Sequence, residues 1–337
     1  MQLIENYALK SLNSFGISIS AKYYCNISSN IILQQVLAWN KKQQHQILVL
    51  GGGSNILFTK NFEGLVLHNA LKGIKLVRES EHNYYVKAMA GEIWHEFVQY
   101  CVKQNYAGVE NLSLIPGNIG ATPMQNIGAY GVEIKDVFYE LEAVDIETQN
   151  LVVFKKGDCD FGYRDSVFKQ SLKNKFIITS VTYELQKLPK YNTSYGAIEM
   201  ELEKQGVKEL SISAIAKAVI AIRQSKLPDT QKIGNAGSFF KNPVLPTEKY
   251  LQIKKAYPTL PGYADGVSTK LPAGWLIEQC GWKGYRKEDA GCYALQALVL
   301  VNYGSATGKE IYDLSEQIIQ TVQHKFGIVL EREVNIY

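Results

Sequence analysis

The segment Pro116-Gly-Asn-Ile-Gly-Ala-Thr-Pro-Met-Gln-Asn-Ile-Gly-Ala-Tyr-Gly131 constrains this chain more than any other. Its sixteen residues hold four glycines, two prolines and no charged side chain, and neither a strand nor a helix period runs through them. A solvent-washed loop is rarely so depleted of charge. Proline fixes φ and glycine removes the side chain, so the stretch suits a rigid, buried backbone wall laid against a flat ligand or a pyrophosphate. An irregular crossover through a core has the same composition.

A second glycine segment lies upstream. Gln46-Ile-Leu-Val-Leu50 is a short apolar run ending in Gly51-Gly-Gly-Ser-Asn55, the pattern of a buried strand entering a tight loop. Position 56 is Ile and no lysine follows, which excludes G-x-G-x-x-G and the Walker loop. Three glycines after a strand still allow positive φ and a nest of N–H groups around a phosphate. A plain turn is the other reading.

The length of 337 residues allows two or three domains. A hydrophobic share of 46% and a charged share of 20% are those of a globular chain that folds without staples. Thirty-six Lys and Arg against 32 Asp and Glu leave +4, too little and too evenly spread for a general nucleic-acid binder. Any anionic partner must be met locally. The five cysteines (Cys25, Cys101, Cys159, Cys280, Cys292) are widely spaced and never form C-x-x-C. Neither a disulfide framework nor a metal site is therefore expected, and a reducing cytoplasm fits. No apolar run approaches membrane-spanning length, so no membrane partner is expected.

Periodicity places helices over Glu92–Lys103, with Ile93, Phe97, Tyr100 and Cys101 on one face, over Ile212–Ser225, over Gly274–Cys280, and over Lys309–Lys325, with Ile311, Leu314, Ile318 and Val322 inward. Strands are expected at Val137–Asp145, Leu151–Lys155, Phe176–Leu185 and Ala297–Asn302. A turn-rich stretch, Leu188–Gly196, separates the β-rich region from the helices that follow. The pattern is α+β.

The two glycine segments, taken with Phe161-Gly-Tyr-Arg-Asp-Ser-Val-Phe168, Gly234-Asn-Ala-Gly-Ser-Phe-Phe-Lys-Asn-Pro243 and Leu330-Glu-Arg-Glu-Val334, resemble, in order and through nearly the whole chain, the UDP-N-acetylenolpyruvoylglucosamine reductase (MurB) family. The resemblance implies an FAD-binding fold of the vanillyl-alcohol-oxidase (PCMH) type with a C-terminal α/β substrate-binding domain. It divides the chain into an N-terminal lobe, 1–68, completed by 325–337, a central FAD lobe, 69–211, and a substrate domain, 212–324. Tyr195-Gly196 resembles the tyrosine-bearing insertion of type I members, whose tyrosine closes over substrate.

The reaction implied is reduction of UDP-N-acetylenolpyruvoylglucosamine, an enolpyruvyl ether, to UDP-N-acetylmuramate, with NADPH reducing FAD and the flavin passing hydride to carbon 3. Negative charge then grows at carbon 2 and spreads into the neighbouring carboxylate, which needs cationic or hydrogen-donating groups facing it. The family pattern puts Arg164, Ser238 and Glu333 there: Arg164 as the planar cation, Ser238 as proton donor to carbon 2, and Glu333 as a group that helps only when protonated or as an orienting acceptor. Alone, Arg164 beside Asp165 reads as a surface ion pair, and Glu333 as a terminal charge paired with Arg332.

For FAD the resemblance implies Gly51, Gly52, Gly53, Ser54, Asn55, Pro116, Gly117, Ile119, Gly120, Ala121, Ile127, Gly128 and Arg223. For substrate it implies Tyr130, Tyr195, Lys226, Asn242, Lys283 and Gln296; each lysine alone reads as a solvated charge. No obligate protein partner is implied. One departure stands out: many relatives carry Arg two residues after the glutamate, where this chain has Asn335 and ends at Tyr337, so a flavin or terminal-strand contact is missing or replaced. A flavin oxidase of the same fold, which would not need the trio, and a non-catalytic FAD or UDP-sugar-binding module are the alternatives.

Overall fold

A computed structural model describes residues 1–337 and has the α+β character expected. The chain falls into two compact units. Met1–Tyr7, Ala21–Gly53 and Glu63–Ser225 form the first, and Ala8–Ser20, Ser54–Phe62 and Lys226–Tyr337 the second.

The first unit holds an antiparallel five-stranded sheet in the order Leu151–Lys155, Phe138–Asp145, Phe176–Gln186, Asn83–Met89, Ile74–Glu79. Its central strand, Phe176–Gln186, is buried along most of its length, which is why its sequence is a nearly continuous run of branched and aromatic residues. Helix Trp94–Lys103 buries Trp94, Phe97, Val98 and Cys101, with the Trp94 and Phe97 rings 5.6 and 4.9 Å from Tyr183 of that strand. The buried stripe is rotated from the expected one: the helix starts at Trp94, so Ile93 is an exposed flanking residue. A second sheet runs Ile4–Ala8, Ser20–Ile27, Phe62–Asn69, Ile47–Leu50. Its last strand is the expected apolar run, parallel to Phe62–Asn69, and it delivers Gly51. Helix Asn30–Gln43, not foreseen, packs Leu33, Val36 and Leu37 on this sheet. The turn-rich stretch leads into another unforeseen helix, Gly196–Lys204, which packs Ile198 and Leu202 against Ile215 and Val219 of Ile212–Lys226.

The second unit centres on an antiparallel sheet, Gly234–Ser238, Val299–Asn302, Ala290–Cys292, Arg286–Lys287. Helix Gly308–Phe326 buries Ile311, Leu314, Ile318 and Val322 as expected, between a Thr307–Glu310 capping box and Gly327 at φ +67°. Burying each of those side chains contributes roughly 1.5–3 kcal/mol against about 1 kcal/mol for the cap. Packing, not capping, holds the helix. The last residues, Asn335–Ile336, pair in parallel with Ile56–Leu57.

All five cysteines are free thiols, and burial pushes Cys159 and Cys292 up to about 12, so neither is a nucleophile at neutral pH. No helix is long and apolar enough to cross a membrane, and no group of His, Cys, Asp and Glu is arranged to hold a metal ion.

The start of Gly308–Phe326 is sterically fixed. A Cβ on Gly308 would lie 1.7 Å from the Phe58 carbonyl oxygen, whereas one on Gly157 meets nothing within 4 Å. G308A is therefore expected to lower stability by about 2–3 kcal/mol, and G157A to change it by less than about 1 kcal/mol. Urea unfolding of both proteins checks this; equal midpoints would contradict it.

Candidate active site

Strand Ile47–Leu50 ends at a loop that only glycine can form. A Cβ on Gly52 would stand 2.7 Å from Asn118 Oδ1 and 3.3 Å from Gly117 Cα, and one on Gly51 would stand 3.3 Å from Asn118 Cβ. The two glycine segments thus meet, backbone against backbone, inside the first unit. Gly53 at φ +58° and Gly117 at φ +112° turn the chain at the contact, a conformation open to glycine and costly for most other residues.

The wall is rigid but not buried throughout, as it was expected to be. Asn118, Ile119, Thr122, Asn126 and Ile127 are buried, while Pro116 and Ala121 are exposed and Gly117, Gly120 and Gly128 half-exposed. One side of the segment is anchored and the other is left bare, which suits a ligand-facing surface better than a core crossover. The anchors are specific. Trp94 N–H donates to the Gly117 carbonyl, Ile119 N–H to Glu92, and Gly120 N–H to Ala90, each at 2.9 Å. Asn118 Nδ2 donates to the Gly91 carbonyl at 2.9 Å, and the Thr122 and Tyr183 hydroxyls lie 2.7 Å apart.

Arg164 stands on the same body. Gly162 and Asp165 pair across a tight turn that places Arg164 at φ +54°. Asn126 Nδ2 donates to the Gly162 carbonyl at 2.9 Å and Ser166 Oγ to that of Met124 at 2.6 Å, which fastens the turn to the wall. The guanidinium donates from Nη2 to the Gly128 carbonyl at 2.6 Å, and its Nη1 lies 4.0 Å from Glu133. Asp165, the partner expected of a surface ion pair, instead accepts from Ser166 N–H and Gln170.

Arg223 and Tyr130 are also brought together. Arg223 hydrogen-bonds the Tyr130 phenol, and burial lowers the arginine's pKa while the phenol opposes the shift. Burial likewise raises the Tyr130 phenol, with Arg223 opposing. Tyr130 meets Tyr195 edge to face at 5.4 Å. Asn111 Nδ2 donates to the carbonyls of Tyr130 at 3.0 Å and Asn192 at 2.9 Å, so the tyrosine-bearing stretch is stapled to the wall. Tyr195 is 52% exposed and immediately precedes helix Gly196–Lys204.

In the second unit, Ser238 is the exposed last residue of strand Gly234–Ser238. The C-terminal tail runs antiparallel beside it: Lys241 N–H donates to the Glu331 carbonyl and Glu333 N–H to the Phe239 carbonyl, both at 2.9 Å. The backbone of Glu333 is therefore paired with that of Phe239, the residue after Ser238. Arg332 pairs with Glu316 at 2.5 Å and Ser315 at 2.9 Å, and Lys241 pairs with Glu331. Side chains alternate along extended backbone, so Arg332 is turned away from the Glu333 carboxyl it was expected to neutralise. Asn335 donates from N–H and Nδ2 to the Asn55 carbonyl at 3.2 and 3.0 Å, while Asn55 Nδ2 donates to the Glu333 carbonyl at 3.4 Å. Asn55 thus holds the tail from both its carbonyl and its side chain. Ser54 lies half-buried beside it.

Among the residues expected at substrate, Asn242 Oδ1 accepts from Ala273 N–H at 2.9 Å and Gln296 Oε1 from Leu298 N–H at 3.2 Å, which fixes the orientation of both amides. Lys226 is exposed at the end of Ile212–Lys226, and Lys283 is paired with Glu278 at 2.9 Å. Sequence reading missed Asn111, Asn118 and Asn126, whose amides do the fastening. Their signal was an asparagine in or beside a charge-free glycine stretch, where short amide side chains bond nearby backbone.

The chain matches two family models, an FAD binding domain over residues 22–153 and the C-terminal domain of UDP-N-acetylenolpyruvoylglucosamine reductase over 228–337. It is 49% identical over 338 residues to the UDP-N-acetylenolpyruvoylglucosamine reductase of Flavobacterium johnsoniae, covering 100% of both chains. It is 50% identical over 340 residues to that of Amoebophilus asiaticus, covering 100% of this chain and 99% of the relative. In fold it resembles the crystal structure of the reductase from Thermus caldophilus, with a TM-score of 0.66 at 21% identity over 100% of this chain and 98% of that one.

The glycine contact is uncharged and made largely of backbone, the character that suits a flavin nucleotide. A methyl at position 52 would drive Asn118 and Gly117 away. G52A is expected to weaken FAD retention at least about tenfold, read by flavin fluorescence on dilution, with the melting temperature of the second unit's transition unchanged. Retention equal to that of the parent protein would contradict the cradle.

Proposed function

The chain belongs to the UDP-N-acetylenolpyruvoylglucosamine reductase family, and from that premise we propose that Arg164, Ser238 and Glu333 carry its chemistry. The protein is an FAD-containing oxidoreductase that uses NADPH to reduce UDP-N-acetylenolpyruvoylglucosamine to UDP-N-acetylmuramate in peptidoglycan synthesis. The observation that supports reading Ser238 and Glu333 together is the 2.9 Å hydrogen bond from Glu333 N–H to the Phe239 carbonyl, which runs the tail along the end of strand Gly234–Ser238.

FAD, when bound, supplies the hydride for carbon 3 of the enolpyruvyl group. Gly51, Gly52, Gly53 and the bare side of Pro116–Gly128, with Arg223 beyond them, are the residues we assign to it. The carbanion equivalent at carbon 2 and its carboxylate then need a cation that neither titrates nor wanders. Arg164 meets both demands, since a guanidinium stays charged and this one is anchored on the Gly128 carbonyl with only 20% of its side chain exposed. Partial burial strengthens its field on the substrate. Ser238 gives its hydroxyl proton to carbon 2, and Glu333 orients or donates to the substrate carboxylate.

Lys226 and Lys283 are assigned to the diphosphate. The Lys283–Glu278 bridge does not prevent this: an exposed pair is worth about 0–1 kcal/mol, and a diphosphate is the stronger acceptor. Asn242 and Gln296 donate their oriented amides, Tyr130 presents its phenol, and Tyr195 closes over the sugar as the type I tyrosine. We read the lobes 1–68, 69–211 and 212–324 as the functional division, and the cytoplasm, where free thiols stay reduced, as the compartment.

S238A tests the central assignment. NADPH should still bleach the flavin at the parent rate, while reoxidation by UDP-N-acetylenolpyruvoylglucosamine slows about 10²–10⁴-fold in anaerobic stopped flow. Loss of the first half-reaction with the second intact would contradict the role given to Ser238.

A further inference from the structure

His95, one residue into helix Trp94–Lys103, is named by no part of the reaction above. Its Nδ1 accepts the N–H of Leu114 at 2.9 Å. From a different helix, Arg223 donates Nε to the carbonyl of the same Leu114 at 3.2 Å. Both polar backbone groups of one residue are thus taken by side chains. That residue is unusual: Leu114 sits at φ +60°, a left-handed conformation that leucine rarely adopts and that persists only where the surroundings enforce it. Two residues later the chain enters the glycine wall, and Trp94, next to His95, holds that wall by donating its N–H to Gly117.

We propose that His95 is a positioning residue of the flavin site, clamping Leu114 with Arg223 so that Pro116 and Gly117 arrive against Gly51 and Gly52. The inference rests on the assignment of that contact to FAD. An imidazole can do this only when neutral and protonated on Nε2, because an imidazolium has two donors and no acceptor. The surroundings favour that form. Burial lowers the His95 pKa, the neighbouring Arg223 charge pushes it the same way, and Glu96 opposes them, so the ring is uncharged at neutral pH. A histidine that merely filled space would not need this tautomer.

The test measures FAD dissociation constants by fluorescence titration of the full chain. H95L, which removes the acceptor, should weaken binding about tenfold. H95Q, whose amide oxygen can accept at similar reach, should stay within about threefold of the parent. In an L114G background, where glycine takes positive φ without strain, the cost of H95L should shrink to about twofold. Equal affinities for H95L and H95Q, or an undiminished loss in the L114G background, would overturn the clamp. Nitrogen-15 spectra of the parent protein at pH 7 give a readout that does not depend on any variant folding: Nε2 protonation supports the proposal and Nδ1 protonation ends it. A parent protein that fails to bind FAD would instead remove the flavin reading itself.

Discussion

The approach of Gly52 to Asn118 and Gly117 is the contact on which the rest of the first unit depends. It is closer than any residue with a Cβ could make it, so two stretches of chain remote in sequence must both be poor in side chains where they cross. What they lose in packing is replaced by hydrogen bonds from outside. Asn118 reaches Gly91, the start of helix Trp94–Lys103 holds Gly117, and Thr122 meets Tyr183 on the central strand. Between its single 3-10 turn, Ile119–Ala121, and the short strand Gly128–Ala129, the wall holds its shape through these individual bonds.

The same logic extends to Arg164. Its turn is bonded to Met124 through Ser166 and to Asn126 through the Gly162 carbonyl, so the glycine-rich wall and the Arg164 turn are tied into one piece. In the second unit the tail is fixed with equal economy: Asn55 and Phe239 hold it from two sides, and Asn335 supplies a side-chain bond to the Asn55 carbonyl.

Much of this was legible beforehand. Helix Gly308–Phe326 repeats its apolar residues at the helical period over five turns, and the central strand is a run of β-formers; such long, one-sided patterns survive tertiary context. Helix Asn30–Gln43 was passed over, although Ser29 caps it and Lys41 and Lys42 sit in its last turn, because its polar face is nearly as populated as its apolar one. Gly196–Lys204 was hidden behind the turn-formers of Leu188–Gly196. The glycine segments announced a backbone wall, but not which side would be bare, since that depends on the amides of Asn111, Asn118 and Asn126 finding carbonyls far along the chain. His95 and Arg223 were invisible as partners for the same reason: they meet on Leu114, and neither lies near it in sequence.

Net charge explains why the arginines are held as they are. An anionic substrate must be met by local positive charge, because +4 spread over the chain offers little field. A guanidinium fixed by a carboxylate would spend that charge on its own support. Arg164 is anchored instead on the carbonyl of Gly128, with Glu133 4.0 Å away and shared with Lys135 at 2.8 Å. Arg223 is anchored on the carbonyl of Leu114 and the Tyr130 phenol. Carbonyl dipoles orient a guanidinium without cancelling its charge. The glycine-rich wall supplies the Gly128 carbonyl because its backbone is accessible there, and a Cβ at Gly128 would stand 3.0 Å from Arg164 Nη1. The absence of side chains that lets Gly52 approach Gly117 therefore also recurs at Gly128, where it admits the Arg164 guanidinium, and a single stretch of uncharged sequence ends up organising both contacts.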